Sequence, residues 1–290
     1  MKYIFKIFTI VILASLLGCS SDDNVIDIVN NNTTRGAILR TIAVNSSEFD
    51  VFNPQSEFSV TLEFEDNRGG DLLESVDVVV SFDDRTDNGP DNSRDEAPLT
   101  TIPASAFSNG ENNLPVITFN TSLGQAAQAL GLTSDDYSGG DRFVVRFIAN
   151  LTDGRSFSSG DANGGILSGS FTRSPYQYNV NLVCPPAPPA SGTWTIEMTD
   201  LYGDGWNGGE LVITIDGNES RFTMDNGASL TVNFEVPSGS QVISIQYSSG
   251  DWDEEVIFQI IASNGNTIMD IGPFPPVGVE LIDYCNTNYQ

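Results

Sequence analysis

Alternation of apolar and polar residues runs through most of the chain and predicts many short β-strands. In three stretches the apolar residues fall clearly on one face: Phe58, Val60, Leu62 and Phe64; Val76, Val78, Val80 and Phe82; Phe143, Val145, Phe147, Ala149 and Leu151. Turns rich in Gly, Asn and Asp separate the stretches. This pattern is typical of an antiparallel β-sandwich, which we assign to residues 35–183 and call the first domain.

One short helix interrupts the strand pattern. Ser122 is followed three residues later by Gln125, then by Ala and Leu residues, and then by Gly131. A serine N-cap with Gln at the third helical position forms a capping box, and glycine favours the end of a helix. We expect a short helix here that crosses between the two sheets.

A second series of strand-like segments follows the proline-rich segment 184–192, which we interpret as a stiff, extended linker. The segments are TWTIEM (193–198), LVITI (211–215), SLTVNFEV (229–236), QVISIQY (241–247), EVIFQII (255–261) and VGVELI (277–282). They predict about seven strands, which suits a compact sandwich of the jelly-roll or CUB-like kind. The expected fold is therefore all-β, with two antiparallel β-sandwich domains, and residues 193–290 form the second.

The first domain contains the segments EDNRGGDLLESVDVVVSF (65–82) and NLTDGRSFS (150–158). They resemble immunoglobulin-like and fibronectin-type domains of surface lipoproteins that accompany outer-membrane glycan-uptake systems. The resemblance implies an immunoglobulin-like sandwich. An acidic segment, 83–96, has no regular ligand spacing. We interpret it as a solvated loop, with a cation or partner site as the alternative.

The N-terminus reads as an export signal. A basic start is followed by an apolar run, 7–17, that is short for a membrane span. The run ends in LLGC, which resembles the lipobox of bacterial lipoproteins and implies cleavage after Gly18 and lipid attachment to Cys19. The alternative is a plain signal peptide with an incidental cysteine. The following SSDD resembles the acidic signal of Bacteroidota-type surface lipoproteins.

These signals place the chain in the cell envelope. We expect residues 1–18 to be a lipoprotein signal peptide and residues 19–34 a flexible, polar tether. The resemblance implies a lipid-anchored protein of the outer membrane that faces outward and contacts the membrane through its lipid alone.

Charge and composition exclude several function classes. The formal charge is −27, and removal of both lysines with the signal would make it −29. Such a chain repels nucleic acid and anionic membranes. The sequence has no His, which excludes Ser-His-Asp triads and His-ligated zinc. It also lacks G-x-S-x-G, H-E-x-x-H and phosphate-loop motifs, so we expect no enzymatic activity.

Two cysteines remain once Cys19 carries a lipid. In an oxidising compartment Cys184 and Cys285 are expected to form a disulfide, with two free thiols as the alternative.

The segment TDLYGDGWNGGEL (199–211) is the least ordinary part of the sequence. Its glycines permit a tight backbone, and three of its side chains, from Asp200, Asp204 and Asn207, offer the oxygen ligands that calcium prefers. The spacing is not that of an EF-hand. A second acidic group follows downstream: Asp251, Asp253, Glu254 and Glu255. If the two loops meet at one end of the sandwich, their carboxylates repel one another, and a calcium ion would remove that repulsion.

The same segment, followed by a strand of the type G-x-W-x-x-E-V, resembles an extracellular β-module found beside adhesion, protease and secretion-tag domains. Three aromatic residues are candidate ligand contacts: Tyr202, Trp206 and Trp252. For Trp206 three interpretations stay open. It caps the core with its N–H bonded to a carbonyl, it is an exposed platform for a sugar ring, or it anchors a protein partner.

We therefore expect a non-catalytic, lipid-anchored envelope protein that binds a glycan or an envelope protein through a calcium-stabilised second domain. The alternative is a structural or adhesive stalk without a small-molecule ligand.

Overall fold

The computed structural model describes Val25, Ile26, Val29 and residues 35–290. The predicted signal peptide, Cys19 and most of the predicted tether lie outside the described residues. Among the residues described, no helix has the length and apolar character needed to cross a membrane.

The first domain is a sandwich of two sheets. The first sheet has the order β1-β3-β7-β6 and contains β1 (Ile38–Ser46), β3 (Glu57–Glu65), β6 (Ser108–Asn109) and β7 (Pro115–Ser122). The second has the order β2-β10-β8-β4-β5, with β9 paired to β8, and contains β2 (Glu48–Asp50), β4 (Leu73–Asp83), β5 (Arg94–Pro103), β8 (Arg142–Leu151), β9 (Ser156–Phe157) and β10 (Gln177–Val183). All described pairings are antiparallel except that of β2 with β10.

The alternating residues of β3, β4 and β8 point into the space between these sheets, as the sequence predicted. Phe58, Val60, Phe143 and Val145 are fully buried in a single core that takes side chains from both sheets. The predicted helix is also confirmed as α1 (Leu123–Leu130), with Ser122 and Gln125 forming the capping box and Gly131 ending it in the left-handed region. It packs against β7 of one sheet and β4 and β5 of the other. A second helix, α2 (Gly164–Ser168), was not predicted.

The second domain has its own core between two further sheets. One has the order β14-β11-β16-β17 and contains β11 (Gly192–Asp200), β14 (Ser229–Val236), β16 (Val256–Ile261) and β17 (Thr267–Ile271). The other has the order β13-β12-β15 and contains β12 (Glu210–Ile215), β13 (Asn218–Phe222) and β15 (Ile243–Ser248). Strand β11 lies inside its sheet, and antiparallel partners pair with it on both sides. The all-β prediction is thus confirmed for both domains.

One predicted strand is wrong. Residues 277–282 form no strand, and only Val277 makes an isolated bridge, to Tyr247. Two prolines directly precede this segment, and Gly278 has a φ of 68°, so its backbone departs from strand geometry, although Gly278 and Leu281 still donate N–H groups to the carbonyls of Tyr247 and Ile245 in β15. Strands β13 and β17 take its place in the count of seven.

The linker is extended and is held by the end of the chain. Cys184 and Cys285 form the predicted disulfide. Tyr289 accepts a hydrogen bond on its carbonyl from Ala190 N–H and another on its hydroxyl from Ala187 N–H, at 2.8 and 2.9 Å. A Cβ on Gly139 of the first domain would lie 2.3 Å from both sulfur atoms, so only glycine lets that loop pass the disulfide. The disulfide therefore rests directly on the first domain.

Candidate functional site

Asp200, at the end of β11, organises the glycine-rich loop that follows it. The residue is 2% exposed. Its Oδ2 accepts backbone N–H bonds from Gly203, Asp204 and Gly205 at 2.5, 2.8 and 3.1 Å. Both glycines have a φ of 99°, a region that other residues rarely adopt, and this turns three N–H groups toward one oxygen. The loop is therefore wound around one carboxylate oxygen.

The other oxygen of Asp200 has no such role. Oδ1 is buried and finds no hydrogen-bond partner among the described residues. The Asp200 carboxylate belongs to a group of three, with those of Asp204 and Glu255, and one oxygen from each lies within 4.8 Å of the others. A buried carboxylate oxygen without a partner is unfavourable, and two neighbouring carboxylates make it more so.

Strand pairing explains why these residues meet. Strands β11 and β16 are antiparallel neighbours, and Asp200 stands opposite Val256. Glu255 precedes Val256 in a single 3-10 turn, 253–255, and its carbonyl accepts the N–H of Leu201 at 3.0 Å. The expectation that the two acidic loops meet at one end of the sandwich is therefore confirmed.

Neighbouring negative charges act on Glu255. Partial burial, together with the negative charges of Asp200, Asp204 and Glu254, raises the pKa of the Glu255 carboxyl above its ordinary value. The folded domain therefore favours a proton, or another cation, at this carboxylate.

Other predicted metal ligands have different roles. Asn207 donates its side-chain amide to Asp204 Oδ1 at 3.1 Å and to the Gly205 carbonyl at 3.0 Å, so it positions Asp204. Asp251 and Glu254 are exposed at the rim and are also outside the group. Of the six predicted carboxylate ligands, the structure groups three, Asp200, Asp204 and Glu255, and the ligand role of Asn207 stays a prediction.

Asp253 faces away from the carboxylate group. It accepts hydrogen bonds from Tyr247 Oη at 2.6 Å, Ser249 Oγ at 2.5 Å and Gly250 N–H at 3.0 Å. Burial alone would raise the pKa of Asp253, but these hydrogen bonds lower it. The residue holds the 249–255 loop in shape, and the prediction of a metal-ligand role is corrected accordingly.

Trp206 belongs to the core. It is 1% exposed, and its indole N–H donates to the Thr199 carbonyl at 3.0 Å. Its ring contacts Tyr247 and Phe258, with centroids 6.3 and 5.9 Å away. No face is left for a sugar or a protein, so the prediction that Trp206 binds a ligand is corrected. The interpretation with its N–H on a carbonyl is the one that the structure supports.

Tyr202 and Trp252 are exposed, at 77% and 62%. Two residues that the sequence analysis missed, Leu201 and Phe274, are also exposed, at 59% and 68%. The alternation of apolar and polar residues does not predict any of these four exposed residues, because all of them lie in loops. Pro273 and Pro275 on either side of Phe274 are the one signal that this segment leaves the sheet.

A cavity of about 440 Å³ in the first domain is unrelated to this site. It lies between α1 and β5 and is lined by neutral residues, among them Phe119, Gln125 and Gln128. Its lining has no acidic or basic side chain, so the site described above remains the chemically distinctive one.

Comparisons with known proteins do not assign a family. No family model matches the chain, and no curated protein matches it. Among solved structures, an adhesin of Mobiluncus mulieris with disulfide, isopeptide and ester cross-links has a TM-score of 0.24 and 11% identity over 74% of this chain and 80% of its own. A bacterial ice-binding adhesin has a TM-score of 0.26 and 12% identity, covering 82% and 63%. Red sea bream transglutaminase has a TM-score of 0.24 and 11% identity, covering 80% and 32%. Likenesses this weak decide nothing about function.

Proposed function

We propose that this chain is a non-catalytic surface protein whose second domain binds calcium and recognises a glycan or an envelope protein. The observation that carries the proposal is the buried carboxylate of Asp200, which is grouped with those of Asp204 and Glu255 and whose Oδ1 has no hydrogen-bond partner among the described residues. A divalent cation would satisfy that oxygen and offset the repulsion among three carboxylates.

Calcium fits the donor set better than other metals do. All three side-chain ligands are carboxylates, which are hard oxygen donors, and the sequence has no His. Calcium accepts six to eight oxygens in flexible geometry, so backbone carbonyls and water would supply the rest. The group lies where β11 ends and β16 begins, so an ion there would hold together the loops that carry Tyr202 and Trp252.

The location is proposed on the N-terminal resemblance. LLGC at residues 16–19 would give a lipid-anchored protein of the outer membrane, with Cys19 as the attachment point. A strongly negative chain remains soluble outside the cell and binds neither nucleic acid nor anionic lipid. The likeness of the first domain to immunoglobulin-like modules supports a role as spacer.

A second candidate function is a structural or adhesive stalk without a small-molecule ligand. The linker favours it, because a disulfide and two hydrogen bonds that linker N–H groups donate to Tyr289 tie it to the end of the chain. Such a junction resists bending, which suits a rigid projection.

The variant Glu255→Gln is expected to change stability in opposite directions with and without calcium. In chelator the variant melts at a higher temperature than wild type, because one repelling charge is gone. With calcium at about 100 times its Kd, wild type gains about 2.7 kcal/mol of unfolding free energy, and the variant, having lost a ligand, gains less. Tryptophan fluorescence follows the second domain alone, since residues 194, 206 and 252 are the three tryptophans.

Lowering the pH tests the direction in which the Glu255 charge changes stability. The folded pKa of Glu255 lies above its unfolded value, so its favourable contribution is complete below the unfolded pKa and disappears as pH rises through the folded pKa. In chelator the gap between variant and wild type therefore narrows as pH falls toward about 4.5. Asp270→Asn, an exposed change on β17, is the control and leaves the calcium response intact. Equal melting of wild type in calcium and in chelator would refute the metal site.

A further inference from the structure

Four exposed apolar side chains surround the 3-10 turn 253–255, and we call them the tip patch: Leu201, Tyr202, Trp252 and Phe274. Backbone hydrogen bonds fix three loops around this turn. Leu201 N–H donates to the Glu255 carbonyl and Phe274 N–H to the Asp253 carbonyl, both at 3.0 Å. Glu255 N–H donates to the Trp252 carbonyl at 3.0 Å. Backbone hydrogen bonds to one turn therefore join the three distant segments that carry the patch.

Backbone strain marks two members of the patch. Trp252 and Phe274 have φ values of 67° and 59°, a left-handed region that bulky residues rarely adopt. Glycine would occupy these positions at lower cost, yet the chain has two large aromatic residues there and leaves both in water. Strained positions that persist are characteristic of functional surfaces, and exposed aromatic clusters are characteristic of binding surfaces.

The surroundings of the patch are negative. Asp251 and Glu254 are exposed on either side of Trp252 and Asp253, outside the carboxylate group of the proposed calcium site. Residues 184–290 contain 15 acidic residues and a single basic one, Arg221. That arginine is already paired with Glu210 and Glu219 at 2.7 Å. The field at the tip patch therefore attracts positive charge and repels negative charge.

We propose that the tip patch binds a basic protein segment, in which an apolar side chain sits between arginine or lysine residues. The apolar residue contacts Leu201 and Phe274. The basic residues lie over the rings of Trp252 and Tyr202 and pair with Asp251 and Glu254. This proposal specifies the class of partner that the second domain recognises, and it rests on the proposed function.

Charge and composition favour this partner over others. A second copy of the chain or an anionic membrane would bring like charge to the patch. A neutral glycan could stack on Trp252 and Tyr202, but it would not need the apolar contacts that Leu201 and Phe274 offer. Because it is uncharged, the negative field would not attract it. A segment with basic and apolar side chains would contact all four tip-patch residues and the acidic residues beside them, Asp251 and Glu254.

The test measures binding of an alternating arginine–leucine peptide to the full chain in calcium. Quenching by acrylamide reports the tip patch directly, since Trp194 and Trp206 are buried and Trp252 is the exposed tryptophan. We expect saturable binding that protects Trp252 from the quencher. The Kd is expected to weaken about tenfold between roughly 50 and 500 mM salt. An arginine–glycine peptide and a glutamate–leucine peptide are expected to bind at least about tenfold less tightly.

Variants separate this proposal from the calcium proposal. Trp252→Ala is expected to lose about tenfold or more in peptide affinity while keeping the calcium-dependent melting shift. Asp251→Asn is expected to reduce the salt dependence, and Asp270→Asn on β17 is the matched charge control that leaves it unchanged. No binding of the arginine–leucine peptide at low salt would overturn the proposal. So would Trp252-dependent binding to neutral glycans that the peptide does not compete away. A failed calcium shift with intact peptide binding would reject the metal site alone.

Discussion

Replacing Trp206 with alanine is expected to unfold or nearly unfold the second domain. The side chain is buried between Tyr247 and Phe258, and its N–H satisfies the Thr199 carbonyl. Truncation leaves a cavity and an unpaired carbonyl, which together lower the unfolding free energy by about 3–5 kcal/mol. Urea denaturation of the full chain, followed by tryptophan fluorescence, measures the loss.

Trp252→Ala is the matched control, because it removes the same residue type from the same domain. Its side chain is 62% exposed, so its loss is expected to change stability by less than about 0.5 kcal/mol. Similar losses in the two variants would contradict the assignment of Trp206 to the core. Such a result would reopen its role as a surface contact.

Removing the disulfide is expected to cost nearly as much. Cys184 and Cys285 are 101 residues apart, and the chain-entropy model gives about 4–5 kcal/mol for a loop of that length. The double change Cys184→Ser and Cys285→Ser removes this constraint on the unfolded chain. It also releases the linker from the end of the second domain.

The urea midpoint, with fluorescence as the probe, measures this effect. Cys19→Ser is the control, since Cys19 lies outside the loop that the disulfide closes, and its stability is expected to equal that of wild type. A double variant within about 1 kcal/mol of wild type would show that Tyr289 and the surrounding contacts hold the junction without the covalent bond.

The strands that the sequence predicted share one property, which is that burial on one face repeats every two residues. Strands β3, β4 and β8 have this pattern of burial, and the sequence predicted all three. Strand β13, NESRF, has almost no buried face and is held by hairpin pairing with β12. Its sequence therefore lacks the alternation of apolar and polar residues that predicts a strand. Residues 277–282 have the alternating pattern, but they follow a proline pair and include Gly278 at a positive φ, so they make only scattered bonds to β15 instead of a regular strand.

The candidate site was predictable only in part, because its geometry is tertiary. Asp200 and Asp204 were recognisable from the glycines around them. Glu255 joins them through the register of β11 against β16, which no local pattern encodes. The neighbouring Asp253 differs from Glu255 by two positions, yet it is directed to Tyr247 and Ser249. Whether Trp206 faced inward or outward depended on packing against β15 and β16.

Strand β11 connects the linker to the tip without interruption, from Gly192 to Asp200. A mechanical load carried from a membrane anchor to a partner held at Trp252 would therefore run along this strand. Strands β14 and β16 pair with β11 on both sides, and both are antiparallel to it. Pulling along β11 would shear two ladders of hydrogen bonds at once, whereas peeling an edge strand would break them one at a time. With the anchor and the partner placed as proposed, β11 would be the strand along which the second domain best resists tension.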